Sequence, residues 1–173
     1  MYPLKIAAIA AAASLAMGTA VACGSSSGAS HTTTPAVCSR QYGDWRNGPQ
    51  GVPVDYLQKE LHTVALAMLA VDLRAIRVWL IKIGPTAQIV QTYPMPRCAD
   101  PAGYWRKYLA DARAGSRIAR TGSNNRRTIV HALSAMKPLK PLGVKLAAEL
   151  SRTARVKPWK LPTRILHPAG LGG

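Results

Sequence analysis

Four histidines, seven carboxylates and three cysteines are the groups in this chain with chemistry to offer. His31 and His167 fall in polar, turn-rich stretches that would not fix them. His62 lies off the apolar face of the first expected helix, and His131 lies opposite the apolar face of the fourth. A His62–His131 metal site would need two helices to bring them together, and isolated histidines of this kind are more often solvated surface residues. Asp55, Asp72 and Asp100 suit helix caps or helix-end charges. Glu60 and Asp111 read as solvated ion-pair partners. Glycoside hydrolysis needs two acids facing one cleft, which spacing alone does not provide. No G-x-S-x-G, glycine-rich phosphate loop or H-E-x-x-H occurs, and a serine triad is a matter of geometry, not of sequence order. These residues therefore assign no catalytic group, no metal and no cofactor.

The cysteines carry more. Lys5 is followed by an apolar run over 6–17 and then by Gly18, Thr19, Ala20, Val21 and Ala22. Positive charge, apolar core and small-residue exit are the order of a secretory signal over residues 1–22. An apolar core of about 12 residues falls short of the ~20 that span a bilayer. Ala20-Val21-Ala22-Cys23 resembles the lipobox of bacterial lipoproteins, which implies acylation of the Cys23 thiol. The same residues also form an A-x-A site for ordinary signal peptidase. Residues 24–30, all Gly, Ser or Ala, read as a flexible polar tether, with the whole of 23–37 serving as anchor and spacer. With Cys23 acylated, Cys38 and Cys98 remain as one disulfide pair in an oxidising compartment. That bridge would close a loop of about 60 residues, worth on the order of 4 kcal/mol.

Charge bounds the partners. Removing the signal removes only Lys5, leaving 22 Lys and Arg against 7 acids, a net of +15. Such a chain is attracted to polyanions: anionic lipid headgroups, wall polymers or nucleic acid. Export favours the first two over nucleic acid.

The elements that must position these groups are helical. About 140 residues remain after signal and tether, enough for one core. Gly43, Gly48, Pro49, Gly51 and Pro53 make 38–53 read as a loop, with Tyr42 and Trp45 packing it down. Val54, Leu57, Leu61, Val64, Ala65 and Met68 recur at helical spacing, and Pro53 suits a helix start. Asp72 caps a second helix whose inner face is Leu73, Ile76, Trp79, Leu80 and Ile83, with Arg74, Arg77 and Lys82 opposite. Gly84-Pro85 should kink or end it, and 86–93 can resume it. A third helix over about 101–120, capped by Asp100 with Pro101 at its first position, buries Trp105, Tyr108, Leu109, Ala112, Ser116 and Ala119. On its other side Arg106, Arg113, Arg117 and Arg120 align, the best candidate for anion binding. A fourth helix after the 122–125 loop turns Ile129, Val130, Leu133 and Met136 inward. Lys137-Pro138-Leu139-Lys140-Pro141 breaks it, and a fifth helix over about 142–153 uses Leu142, Leu146 and Leu150. From 154 to 173, Pro158, Pro162 and Pro168 among basic residues read as a disordered tail, with Trp159 a mild sign of interfacial binding. No alternating pattern predicts a sheet. The expected fold is all-α, a disulfide-tied bundle of four to five helices over 38–153.

Asp44-Trp45, Asn47-Gly48-Pro49, Gly84-Pro85 and the run from Tyr93-Pro94-Met95-Pro96-Arg97-Cys98 through Ala99-Asp100-Pro101-Ala102-Gly103-Tyr104-Trp105 resemble small actinobacterial lipoproteins of unassigned function. The resemblance covers roughly residues 38–153, and 93–105 is its most specific block. It implies a helical, membrane-anchored exported domain and assigns no activity. This chain departs from that pattern in its more basic helices and in its tail. The expectation is a lipid-anchored protein on the outer face of the cell membrane, or a secreted one, with a non-catalytic binding or structural role towards anionic lipid or wall polymer. A secreted enzyme is the alternative. The sequence names no protein partner.

Overall fold

The structure, a computed structural model, describes residues 33–157. Six helices fill that span: α1 (Pro35–Asn47), α2 (Gly51–Leu69), α3 (Leu73–Gln91), α4 (Tyr104–Thr121), α5 (Arg126–Ala135) and α6 (Leu139–Thr153). There is no strand among the described residues. The pair α3–α4 is the centre. Helix α2 packs on α3, α5 and α6 pack on α4, and α1 touches α2 and α6. Cys38 and Cys98 are disulfide-bonded with Cα atoms 5.7 Å apart, so α1 is tied to the connection between α3 and α4. The all-α, disulfide-tied bundle expected from the sequence is the fold.

Helix α1 replaces the loop expected over 38–53 and takes the last residues of the expected tether. Thr34 accepts the Val37 amide, and Pro35 occupies the first turn, where a missing N–H costs nothing. Cys38, Tyr42 and Trp45 then fall at i, i+4 and i+7 and are all buried. The glycines and prolines that suggested a loop only punctuate. Gly48 closes α1, and Gly51 to Pro53 lie in the first turn of α2. Gln50 donates its side-chain amide to the Trp45 carbonyl, and Arg46 donates to the Gly51 carbonyl at 3.2 Å while pairing with Asp55.

Other boundaries shift for similar reasons. Asp72 caps α3 as expected, accepting the Ala75 amide at 2.9 Å. Pro85 does not end α3, which runs through it to Gln91. Helix α4 begins at Tyr104 instead of Pro101, because Gly103 takes a left-handed φ of 69° just before it. Asn125 caps α5 by accepting the Thr128 amide at 2.8 Å. Helix α6 starts at Leu139, three residues early, because Pro141 falls within its first turn, where amides have no helical partner anyway. Past its end Ala154 is fully buried and Val156 packs on the core, so the first residues of the expected tail belong to the domain.

Candidate functional site

The side chains at the disulfide end form a connected aromatic cluster. Trp45 donates its indole N–H to the Tyr93 carbonyl at 2.9 Å. Its ring meets Tyr42 at 5.8 Å and stands edge-on to Trp105 at 6.3 Å; Trp105 stacks on Tyr108 at 5.5 Å. Burial pushes the Tyr108 phenol far above its usual range. Asp100 accepts the backbone amides of Tyr104 at 2.7 Å and Trp105 at 2.9 Å, so its carboxylate holds the first turn of α4 from outside the helix. Burial raises the Asp100 pKa, backbone N–H groups pull it back, and nearby Glu149 pushes it up again. Residues over 93–105 thus have structural work: a bridge, a ring contact and a helix cap.

Beside this cluster opens a cleft of about 840 Å³. Pro94, Pro96, Pro101 and Ala102 form its walls, and the buried Val90, Met95, Trp105 and Leu109 close it underneath. Gln91, Arg97 and Arg106 bring polar groups to it, and Asp100 stands in one wall. The Arg106 guanidinium lies over Gly103, where an added Cβ would come 3.7 Å from Nη2. Arg113 donates to the Gln91 side chain from the next turns of α4.

The structure therefore divides the expected arginine stripe. Arg106 joins the cleft with Arg97. Arg113 is half-buried against Gln91. Arg117 and Arg120 are exposed further along α4. Arg46 pairs with Asp55 and Arg152 with Glu149, and neither pair involves α4. Arg97 was not singled out from the sequence; its place beside Cys98 in a proline-rich, disulfide-pinned loop was the available signal. Arg77, expected on an outward face, instead donates to the carbonyls of Ala119 at 3.1 Å and Gly122 at 3.0 Å, capping the C-terminus of α4 with a cation.

The other candidates do not converge. His62 and His131 are exposed on α2 and α5. Glu60, expected as a solvated ion-pair partner, is half-buried between α2 and α3. One oxygen accepts the Thr86 hydroxyl at 3.0 Å, and the other is buried without a hydrogen bond. Burial raises its pKa against the Thr86 bond and the Lys82 charge. Asp111 lines a separate crevice of about 420 Å³ with Lys107 and Lys145, and burial raises its pKa too. Among the described residues no three His, Cys, Asp or Glu gather to hold a metal ion. None of their helices is long and apolar enough to cross a membrane. Cys23, the signal and Trp159 lie outside the described residues. No protein-family model, no curated protein and no solved structure matches this chain.

Proposed function

We propose that this is an exported, lipid-anchored cell-envelope protein with a non-catalytic binding role, and that the arginine side of α4 meets its anionic partner. One observation carries the binding half. Arg106, Arg113, Arg117 and Arg120 share one side of α4, and none is ion-paired with a described carboxylate. A cationic side left uncompensated in a chain of net charge +16 attracts anionic lipid headgroups and anionic wall polymers alike. Near an anionic membrane each such charge contributes about 1 kcal/mol. The export half is supported by the segment from Lys5 to Ala22, and the anchor by Cys23 with the Gly/Ser stretch after it.

The alternative of a secreted enzyme rested on His62, His131, Glu60 and Asp111. Two of them are exposed, one is tied to Thr86 and one lines its own crevice.

Fractionation tests the anchor: Cys23→Ala should move the protein from the membrane fraction to the medium, and an unchanged distribution overturns it. Vesicle co-sedimentation tests the surface. Binding to phosphatidylglycerol vesicles should exceed binding to phosphatidylcholine and collapse near 0.5 M salt, where the Debye length is only about 4 Å. The double variant Arg117→Gln/Arg120→Gln should weaken it roughly thirtyfold, at ~1 kcal/mol per charge. Salt-insensitive binding, or a double variant equal to wild type, removes α4 as the contact.

A further inference from the structure

The cleft differs from the open arginine side in shape and in chemistry. Its walls are the rings of Pro94, Pro96 and Pro101 with Ala102, which offer apolar surface and little freedom. Proline fixes φ, so these walls lose little entropy when a ligand settles against them. The disulfide at Cys98 and the Trp45 bond to the Tyr93 carbonyl pin the same loop from behind. Two arginines, Arg97 and Arg106, line the cleft from different segments. The one carboxylate in the wall, Asp100, has both oxygens engaged by the amides at the start of α4. An ionic head paired with an apolar body satisfies both halves of such a surface, and a volume near 840 Å³ is within the range of small-molecule sites.

We infer that this cleft is a binding site for a single anionic amphiphile, a phosphate monoester or carboxylate on an apolar body. The head sits between Arg97 and Arg106, and the body lies along the prolines. Guanidinium groups suit both heads, since each presents paired donors to paired oxygens. This deepens the reading of α4 as an anion-binding side, with which it shares Arg106, but it requires neither the anchor nor a membrane surface.

The test is calorimetric titration of the full mature protein with n-octyl phosphate, monomeric at the concentrations used. Inorganic phosphate supplies the head alone, and octyltrimethylammonium supplies the body with the wrong charge. Octyl phosphate should bind one to one, at least tenfold tighter than either control. Arg97→Gln and Arg106→Gln should each weaken it about tenfold, the loss typical of one charge-assisted hydrogen bond. Ala102→Trp, an exposed wall position filled without changing charge, should abolish it. Arg117→Gln/Arg120→Gln should leave it within twofold, although that variant lowers vesicle binding. If octyl phosphate and octyltrimethylammonium bind equally, if several molecules bind per chain, or if Ala102→Trp binds as wild type does, the cleft is not the site. Inorganic phosphate matching octyl phosphate would overturn the apolar half of the assignment. Loss of vesicle binding with octyl phosphate retained defeats the surface reading alone, and the reverse pattern defeats the cleft alone.

Discussion

Pro94, Pro96 and Pro101 stand in the connection between α3 and α4, where the chain leaves the helix; Pro85 stands inside α3, and the helix runs on from Leu73 to Gln91. The difference lies in what faces each proline. Pro85 has no N–H for the Ile81 carbonyl one turn back. Ser116 of α4 fills that place, donating its hydroxyl to the Ile81 carbonyl at 3.1 Å and accepting the Gly84 amide at 3.0 Å. The approach is close enough that a Cβ on Gly84 would come 2.4 Å from the Ser116 oxygen. The loop prolines stand outside the helices. Their segment is held instead by a covalent bridge, by ring contacts and by the Asp100 cap. One proline is absorbed into a helix crossing, and the others are turned into the wall of a cleft.

Three variants can break or sharpen this contrast. The largest effect belongs to the loop. Cys38→Ser/Cys98→Ser should cost on the order of 4 kcal/mol of unfolding free energy, from the loop entropy restored to the unfolded chain. Chemical denaturation measures it, and hydrogen exchange locates it. Protection should fall first over 92–103, while the α3–α4 crossing stays protected; equal loss at both would mean the two regions are one cooperative unit.

Ser116→Ala should cost about 2 kcal/mol, because the buried Ser116 is the partner of a half-buried carbonyl and amide. In a Pro85→Ala background the same change should cost less than about 1 kcal/mol, since the Ile81 carbonyl regains a backbone donor. Additive losses in that cycle would show that Ser116 is not repairing the proline gap.

The smallest effect tests the same crossing from α2. Glu60 bonds Thr86, the residue after Pro85. Burial holds its folded pKa above the ordinary value of 4.5, so its favourable contribution is complete below that pH and is lost as pH rises through the folded pKa. Glu60→Gln keeps an acceptor for Thr86 and removes the charge. It should raise Tm by about 1–2 °C at pH 7 and by nothing near pH 4, a small change because half-exposed charges are screened. A Tm gain equal at both pH values would assign the effect to packing.

The helical class, the inner faces of α2 to α5, the cap at Asp72 and the loop over 122–125 ahead of α5 were legible in the sequence. Each is a local rule: apolar residues recurring at helical spacing, or a side-chain oxygen placed to take an orphan amide. The Cys38–Cys98 bridge followed from counting thiols, and the alignment of Arg106, Arg113, Arg117 and Arg120 from the period of the helix. Helix α1 was hidden, because its core face rests on only Cys38, Tyr42 and Trp45 among strong turn residues. Tertiary contact settled that case in favour of helix. The continuity of α3 through Pro85 depended on Ser116, thirty-one positions away, which no local window contains. The cleft depended on a disulfide-pinned loop and the start of α4 coming together, which puts Arg97 and Arg106 in one lining. Glu60 and Arg77 looked like surface charges until α3 and α4 packed against them. The sequence determined which residues lie on which face of each helix, because that is set within a few turns. What those faces meet was decided only when the helices packed.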